Sequence, residues 1–169
     1  MKREQGNGRK VRSDKKVDVK PTMSVTLKNQ LYTFCHLSEE PVKDVAERLC
    51  QKGAASPLII EEIQKWFRRD YFLPPTIHRG YLERPRLRLI LKGETSKVTI
   101  KFPQPTYDVL CTLAYALDLP PTTTATVLIK RTLFNQAFMH QYVQSDLKHL
   151  DGAAKNKINR FLHQIWGYK

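Results

Sequence analysis

Three side chains with donor chemistry stand at every second position of this sequence: Lys97, Thr99 and Lys101. Val98, Ile100 and Phe102 alternate with them, and Pro103 closes the run. Two ammonium groups and a hydroxyl on one face can donate to phosphate oxygens or to the acceptors on a guanine edge. Groups able to make or break bonds are scarce by comparison. Cys35 and His36 are adjacent, His149 lies near Asp146 and Asp151, and His140 and His163 have no acid close in sequence. No glycine-rich phosphate loop and no C-x-x-C or H-E-x-x-H spacing occurs, and the sixteen acids form no paired cluster suited to Mg²⁺. The expectation is a chain that binds rather than catalyses, with no cofactor and no metal.

Period-two alternation is what a strand needs to place one face on a core and the other outward. An amphipathic segment follows from Thr106 to Leu117, then Pro120-Pro121, a threonine-rich turn, and a second apolar run from Thr126 to Leu133. Strand, helix, turn and helix in this order predict an α+β fold. The chain has 169 residues, enough for one domain or two small ones. Apolar residues make up 41%, so a buried core is expected rather than disorder. The formal charge of +13 points to an anionic partner, most often nucleic acid. An odd count of three cysteines and no apolar core in residues 1–20 predict a reduced, cytoplasmic setting with inert thiols. No apolar run approaches the ~20 residues of a membrane span, so no membrane partner is expected.

Residues 1–22 carry eight Lys/Arg against three acids and read as a disordered basic arm, either tracking phosphates or solubilising the chain. Val25–Leu27 and Leu31–Leu37 read as strands. Ser38, followed by Glu39, Glu40 and Pro41, reads as a helix start, with Val42, Val45, Ala46 and Leu49 as its apolar stripe and Gly53 as its stop. Ser56-Pro57 opens another helix, with Leu58, Ile59, Ile63, Trp66 and Phe67 facing inward. Between Arg68 and Ser96, the run Leu87–Lys92 predicts a hairpin leading into the Val98 strand. Arg86 and Arg88 share one face of that hairpin, as a solvated face or, preferred here, as phosphate contacts. A polar connection with Phe134, Phe138 and Tyr142 then leads to Gly152. The last helix carries an apolar stripe at Ile158, Phe161, Leu162, Ile165 and Trp166, which either docks on its own domain or forms a homodimer through this C-terminal helix.

The basic strand followed by two helices resembles the ribbon-helix-helix unit of Arc-type DNA-binding proteins, in which two strands pair into a ribbon that enters the major groove. Two further matches carry the resemblance. Ser56–Ile63 resembles Thr126–Leu133, each with a hydroxyl, a Leu-Ile pair and a branched aliphatic residue at the end; Val45-Ala46 with Leu49 resembles Leu113-Ala114 with Leu117. The chain is thus expected to hold two degenerate copies, about 25–67 and 97–134, within a body spanning 23–134 and joined by the basic hairpin. Residues 135–169 form a helical extension. The resemblance implies double-stranded DNA as partner, base reading by Lys97, Thr99 and Lys101, and phosphate anchoring by Thr124 and Thr126 at the start of the second helix. It implies repression, plasmid partition or copy control, or an auxiliary role in conjugative transfer, with a nucleoid or plasmid location. Pairing of Leu31–Leu37 with Val98–Phe102 would make a single-chain pseudo-dimer with an asymmetric ribbon; the alternative is that each copy pairs with its counterpart in a second chain. The competing expectation is an RNA-binding or ribosome-associated protein whose Tyr71, Phe72 and Tyr81 stack on unpaired bases beside the arginines.

Overall fold

The strand through Val98 finds its partner near residue 20, not at Leu31–Leu37. The computed structural model describes residues 15–167. Its first unit runs β1 (Val17–Val19), β2 (Thr22–Ser24), α1 (Val25–Ser38) and α2 (Val42–Ala54). A connection follows, with α3 (Pro57–Ile63), a 3-10 turn at Gln64–Trp66, β3 (Tyr71–Leu73) and β4 (Thr76–His78). The second unit is β5 (Thr95–Lys97), β6 (Ile100–Phe102), α4 (Gln104–Leu117) and α5 (Pro121–Leu133); α6 (Gln136–Asp146) and α7 (Gly152–Ile165) complete the chain. The fold is α+β: seven α-helices and short antiparallel strand pairs among the described residues.

β1 pairs with β6 and β2 with β5, placing Val19 opposite Ile100 and Thr22 opposite Lys97. Both pairings keep one register, so they form a single ribbon interrupted at Lys20-Pro21. Pro21 explains the interruption, because it has no N–H to give to the ladder. Its carbonyl still accepts from Val98 N at 3.1 Å, and the continuing register sets Lys20 opposite Thr99. Val19, Pro21, Met23, Val98, Ile100 and Phe102 face inward and are buried.

Leu31–Leu37 is helical. Leu27, Leu31, Phe34, Cys35 and Ser38 are the buried residues of α1, which is i, i+4, i+7, i+8, i+11 spacing. Ser24 caps the helix, its Oγ accepting from Leu27 N at 3.1 Å. One-sided burial overrides the strand preference of Val25, Thr26, Tyr32 and Thr33. Ser38 does not begin a helix; it ends one, buried, with its hydroxyl donating to Phe34 O at 2.7 Å.

Two equivalent strand–helix–helix units therefore occur, but in a different frame from the one expected. α1 and α4 each have 14 residues, and α2 and α5 each have 13. Val25 and Gln104, Glu39 and Asp118, and Pro41 and Pro120 all stand 79 positions apart, as 104 − 25 gives for the first pair. Both first helices end on a left-handed residue, Glu39 at φ 56° and Asp118 at φ 57°. Both close with the same hydrogen bond, Glu40 N to Cys35 O at 3.2 Å and Leu119 N to Ala114 O at 3.0 Å. Ser56–Ile63 is thus no counterpart of α5; α3 belongs to the connection, and α5 starts at Pro121 rather than at Thr126.

The hairpin expected at Leu87–Lys92 does not form. Residues 86–94 carry no strand, and the hairpin of the connection is β3–β4. The aromatic stretch after Leu133 is helix α6, capped by Asn135 accepting from Phe138 N at 2.8 Å, with Phe138, Met139, Tyr142 and Val143 buried. Ile158 and Leu162 of α7 are buried in the same core, α7 packing on α1, and the Trp166 indole donates to Leu133 O at 2.8 Å. That stripe is used within the chain. Residues 17–22, grouped by composition with the basic arm, form ribbon; residues 1–14 of that arm lie outside the described residues. Among the described residues no helix is long and apolar enough to cross a membrane.

Gly53 is the penultimate residue of α2, within a residue or two of the stop expected there. A Cβ there would sit 2.8 Å from Thr132 Cγ2 and 3.4 Å from Leu128 Cδ2, so the glycine lets α2 and α5 meet closely. Thr132 cannot swing away cheaply, since its hydroxyl donates to Leu128 O and Ile129 O at 2.8 and 3.0 Å. Gly53→Ala should cost about 1–2 kcal/mol by overpacking, despite the better helix propensity of alanine. In a Thr132→Ser background, which removes that methyl, the same change should be neutral or stabilising. Denaturant melts of the two singles and the double give this coupling directly.

Candidate nucleic-acid interface

The outward face of the ribbon alternates with the buried set. Asp18, Lys20, Lys97, Thr99 and Lys101 are exposed and Thr22 is half-buried. Across the strands Asp18 faces Lys101 and Thr22 faces Lys97, with Lys20 opposite Thr99 at the centre. Directly opposed side chains lie about 5 Å apart at Cβ, so these six form one patch with three ammonium groups against one carboxylate. Lys28 adds a cation at its edge, donating to Ser96 Oγ at 3.0 Å and lying 5.3 Å from the Tyr32 ring centroid. The start of α1 is tied to the second strand as well, Val25 N donating to Glu94 O at 3.0 Å.

Lys97, Thr99 and Lys101 thus share an exposed face, as their alternation predicts. Thr124 and Thr126 do not join them. Both are fully buried; Thr124 Oγ1 donates to Pro120 O at 3.0 Å and Thr126 Oγ1 to Thr22 O at 2.9 Å. A phosphate cannot reach either hydroxyl, so their role as anchors is corrected: Thr124 bonds back to the carbonyl four residues earlier in its own helix, and Thr126 locks α5 to β2. Arg86 and Arg88 lie in the strandless loop and share no hairpin face. Arg86 instead grips Asp118 through Nε at 3.0 Å and Nη2 at 2.9 Å, while Arg88 is exposed. Sequence reasoning missed Asp18, Lys20 and Thr22. Their signal was the alternation Val17-Asp18-Val19-Lys20, hidden by the charge of the neighbouring arm and broken by Pro21.

A second charged cluster centres on Asp118. Arg68 Nε and Arg69 Nη1 join Arg86 there, at 3.0 and 3.3 Å. Arg86 first, then Arg68 and Arg69, hold this carboxyl below the ordinary carboxylate range. Of the aromatics expected to stack on bases, Tyr71 is buried with its hydroxyl donating to Ala54 O at 2.8 Å, and burial pushes its pKa up to about 12. Phe72 and Tyr81 are exposed.

Cys35 and His36 sit on helix α1 rather than on a strand, and they still diverge: the thiol is buried and the imidazole exposed. Burial, and secondarily Glu40, pushes the Cys35 thiol up to about 12; burial likewise raises Cys50. Among the described residues no group of three or more His, Cys, Asp or Glu is placed to hold a metal ion. In comparisons with known proteins the chain matches no protein family, no curated protein and no solved structure.

Two outcomes follow from this chemistry. Mass-spectrometric mapping after brief alkylation of the native protein at pH 8 should find label on Cys111, which is half-exposed, and almost none on Cys35 or Cys50 until denaturant is added. The second concerns Asp118. Its folded pKa lies below its unfolded one, so the stability it adds is complete above the ordinary value of about 3.9 and is lost as pH falls through the lower, folded value. Asp118→Asn should therefore lower Tm at neutral pH, and the gap to the unaltered protein should close as the pH drops below about 3.9. A gap that stays constant with pH would remove the arginine cluster as its cause.

Proposed function

We propose that this chain is a non-enzymatic, sequence-selective duplex-DNA-binding protein of ribbon-helix-helix type, folded as a single-chain pseudo-dimer. The observation that carries the reading is the ribbon: two antiparallel strands in one register, each entering two helices of matched length, with a lysine-rich polar face outward. A two-stranded ribbon fits the major groove, which is about 12 Å wide. Three outward positions of one strand span roughly 13 Å at 3.3 Å per residue, enough to cover several base edges. Lys20, Lys97 and Lys101 would donate to guanine O6 and N7, Thr22 and Thr99 bond either way, and Asp18 would accept from cytosine N4. The expected roles follow from such binding: repression, plasmid partition or copy control, or assistance at a transfer origin.

Equivalent positions of the two units are not equal in chemistry. Residues 79 positions apart pair Asp18 with Lys97, Lys20 with Thr99 and Thr22 with Lys101. One side of the centre therefore shows Asp18 with Lys101, the other Lys97 with Thr22. The preferred site should be non-palindromic, and the protein should bind it in one orientation.

Selection from random duplexes, followed by footprinting, tests this. Lys101→Ala should weaken the selected site by roughly 1–3 kcal/mol and relax base preference in one half only, with smaller loss on random DNA. Lys97→Ala should relax the other half. Equal losses on selected and random duplexes would reduce these lysines to phosphate contacts, and no selected consensus at all would sink the reading.

A further inference from the structure

The connection between the two units carries more positive charge and more exposed aromatic surface than docking requires. Its backbone is already held to the end of α4, with Arg68 N and Arg69 N donating to Ala116 O at 2.8 and 3.1 Å. One guanidinium would neutralise Asp118, yet three converge on it, and Arg86 remains 62% exposed. Two tyrosines flank the cluster. Tyr115 is 63% exposed with the Arg69 guanidinium 4.3 Å from its ring centroid; Tyr81 is 53% exposed with that of Arg84 at 4.8 Å. Rings this exposed contribute little to the core, and a stacked guanidinium takes one face of each.

The rings are also held in one framework. Gly80 lies so close to Arg69 that a Cβ there would fall 2.2 Å from the Arg69 carbonyl carbon, and the next residue, Tyr81, is held by its N–H donating to Phe67 O at 3.0 Å. Arg68 Nη1 donates to Arg84 O, and Arg84 Nη1 donates to Gln64 O at 2.7 Å. A chain of contacts thus links the two rings, from Tyr115 through Arg69, Asp118, Arg68 and Arg84 to Tyr81.

We propose that this surface binds single-stranded nucleic acid, at a site separate from the ribbon and whether or not the ribbon reads duplex DNA. Unpaired bases can stack on the tyrosine rings while phosphates take the surplus guanidinium charge; the bases of a duplex are stacked on one another and cannot reach. An acidic peptide would use the cations but brings no aromatic bases to stack on the rings.

Fluorescence anisotropy on the full chain with labelled oligothymidine and oligouridine of about a dozen nucleotides tests the proposal. Wild type should bind at least one of them, and their ratio tells DNA from RNA as the source. Tyr115→Ala and Tyr81→Ala should each weaken binding by roughly five- to hundredfold, while Lys101→Ala leaves it unchanged. Tyr115→Leu, which keeps apolar bulk and the fold, should lose binding to a similar degree. Absent binding of both oligonucleotides overturns the proposal, as do tyrosine variants that bind like wild type. Displacement by oligoglutamate that is itself abolished by Tyr115→Ala would make this a protein-docking surface and overturn it equally.

Discussion

A two-stranded ribbon has one face to bury and cannot cover it alone. Here that face is Val19, Pro21, Met23, Val98, Ile100 and Phe102, three residues from each end of a long stretch of chain. The cover is crossed: α2 of the first unit packs on β6 of the second, and α5 of the second packs on β2 of the first. The hydrogen bond from Thr126 to Thr22 O runs along the same crossing. Each unit thus covers part of the other's strand, which ties the two units into one core. The helix pair at the centre, α2 on α5, is where both crossings meet, and Gly53 sets how closely they do so.

Interlocking within one chain has a consequence for the surface. In a symmetric dimer each outward residue appears twice; in one chain the two copies are free to differ. The ribbon uses that freedom, with acid opposite base on one side of the centre and hydroxyl opposite base on the other. So do the turns. Glu40 beside the first turn pairs with Arg48, which also donates to Tyr142 and ties in α6. Asp118 of the second turn gathers three arginines from the connection. The added segments also treat the units unequally: α7 lies on α1, while β3 lies on α4.

What could be read in the sequence depended on how local the cause was. The Lys97–Phe102 alternation was legible because its polar and apolar residues differ sharply. Helix α1 was not, because β-branched and aromatic residues fill a stretch whose burial pattern only the tertiary fold reveals. Proline misled twice. Pro21 hid a strand, although in a ribbon its missing N–H costs a single rung of the ladder. Pro120-Pro121 looked like a turn but begins a helix, where a missing N–H is tolerated. That error made Thr124 and Thr126 look like exposed caps when they are the buried first turns of α5. The pairing of residues 17–24 with 95–102 spans the whole connection, and no local signal encodes a contact of that separation; only matching burial periods at the two ends hint at it.

The proposed reading also makes sense of how the positive charge is spent. Arginines in the connection other than Arg88 meet carboxylates and carbonyls, whereas Lys20, Lys97 and Lys101 on the ribbon are held exposed with a single acid among them. Guanidiniums suit multidentate docking, and ammonium groups on flexible stems suit a partner that must be released. A ribbon completed within one chain needs no prior dimerisation to bind, so its occupancy of DNA would follow protein concentration to the first power. Dimeric ribbons must first assemble and respond more steeply. Under that reading, the fusion of two units exchanges a steep concentration response for a fixed, oriented and asymmetric contact.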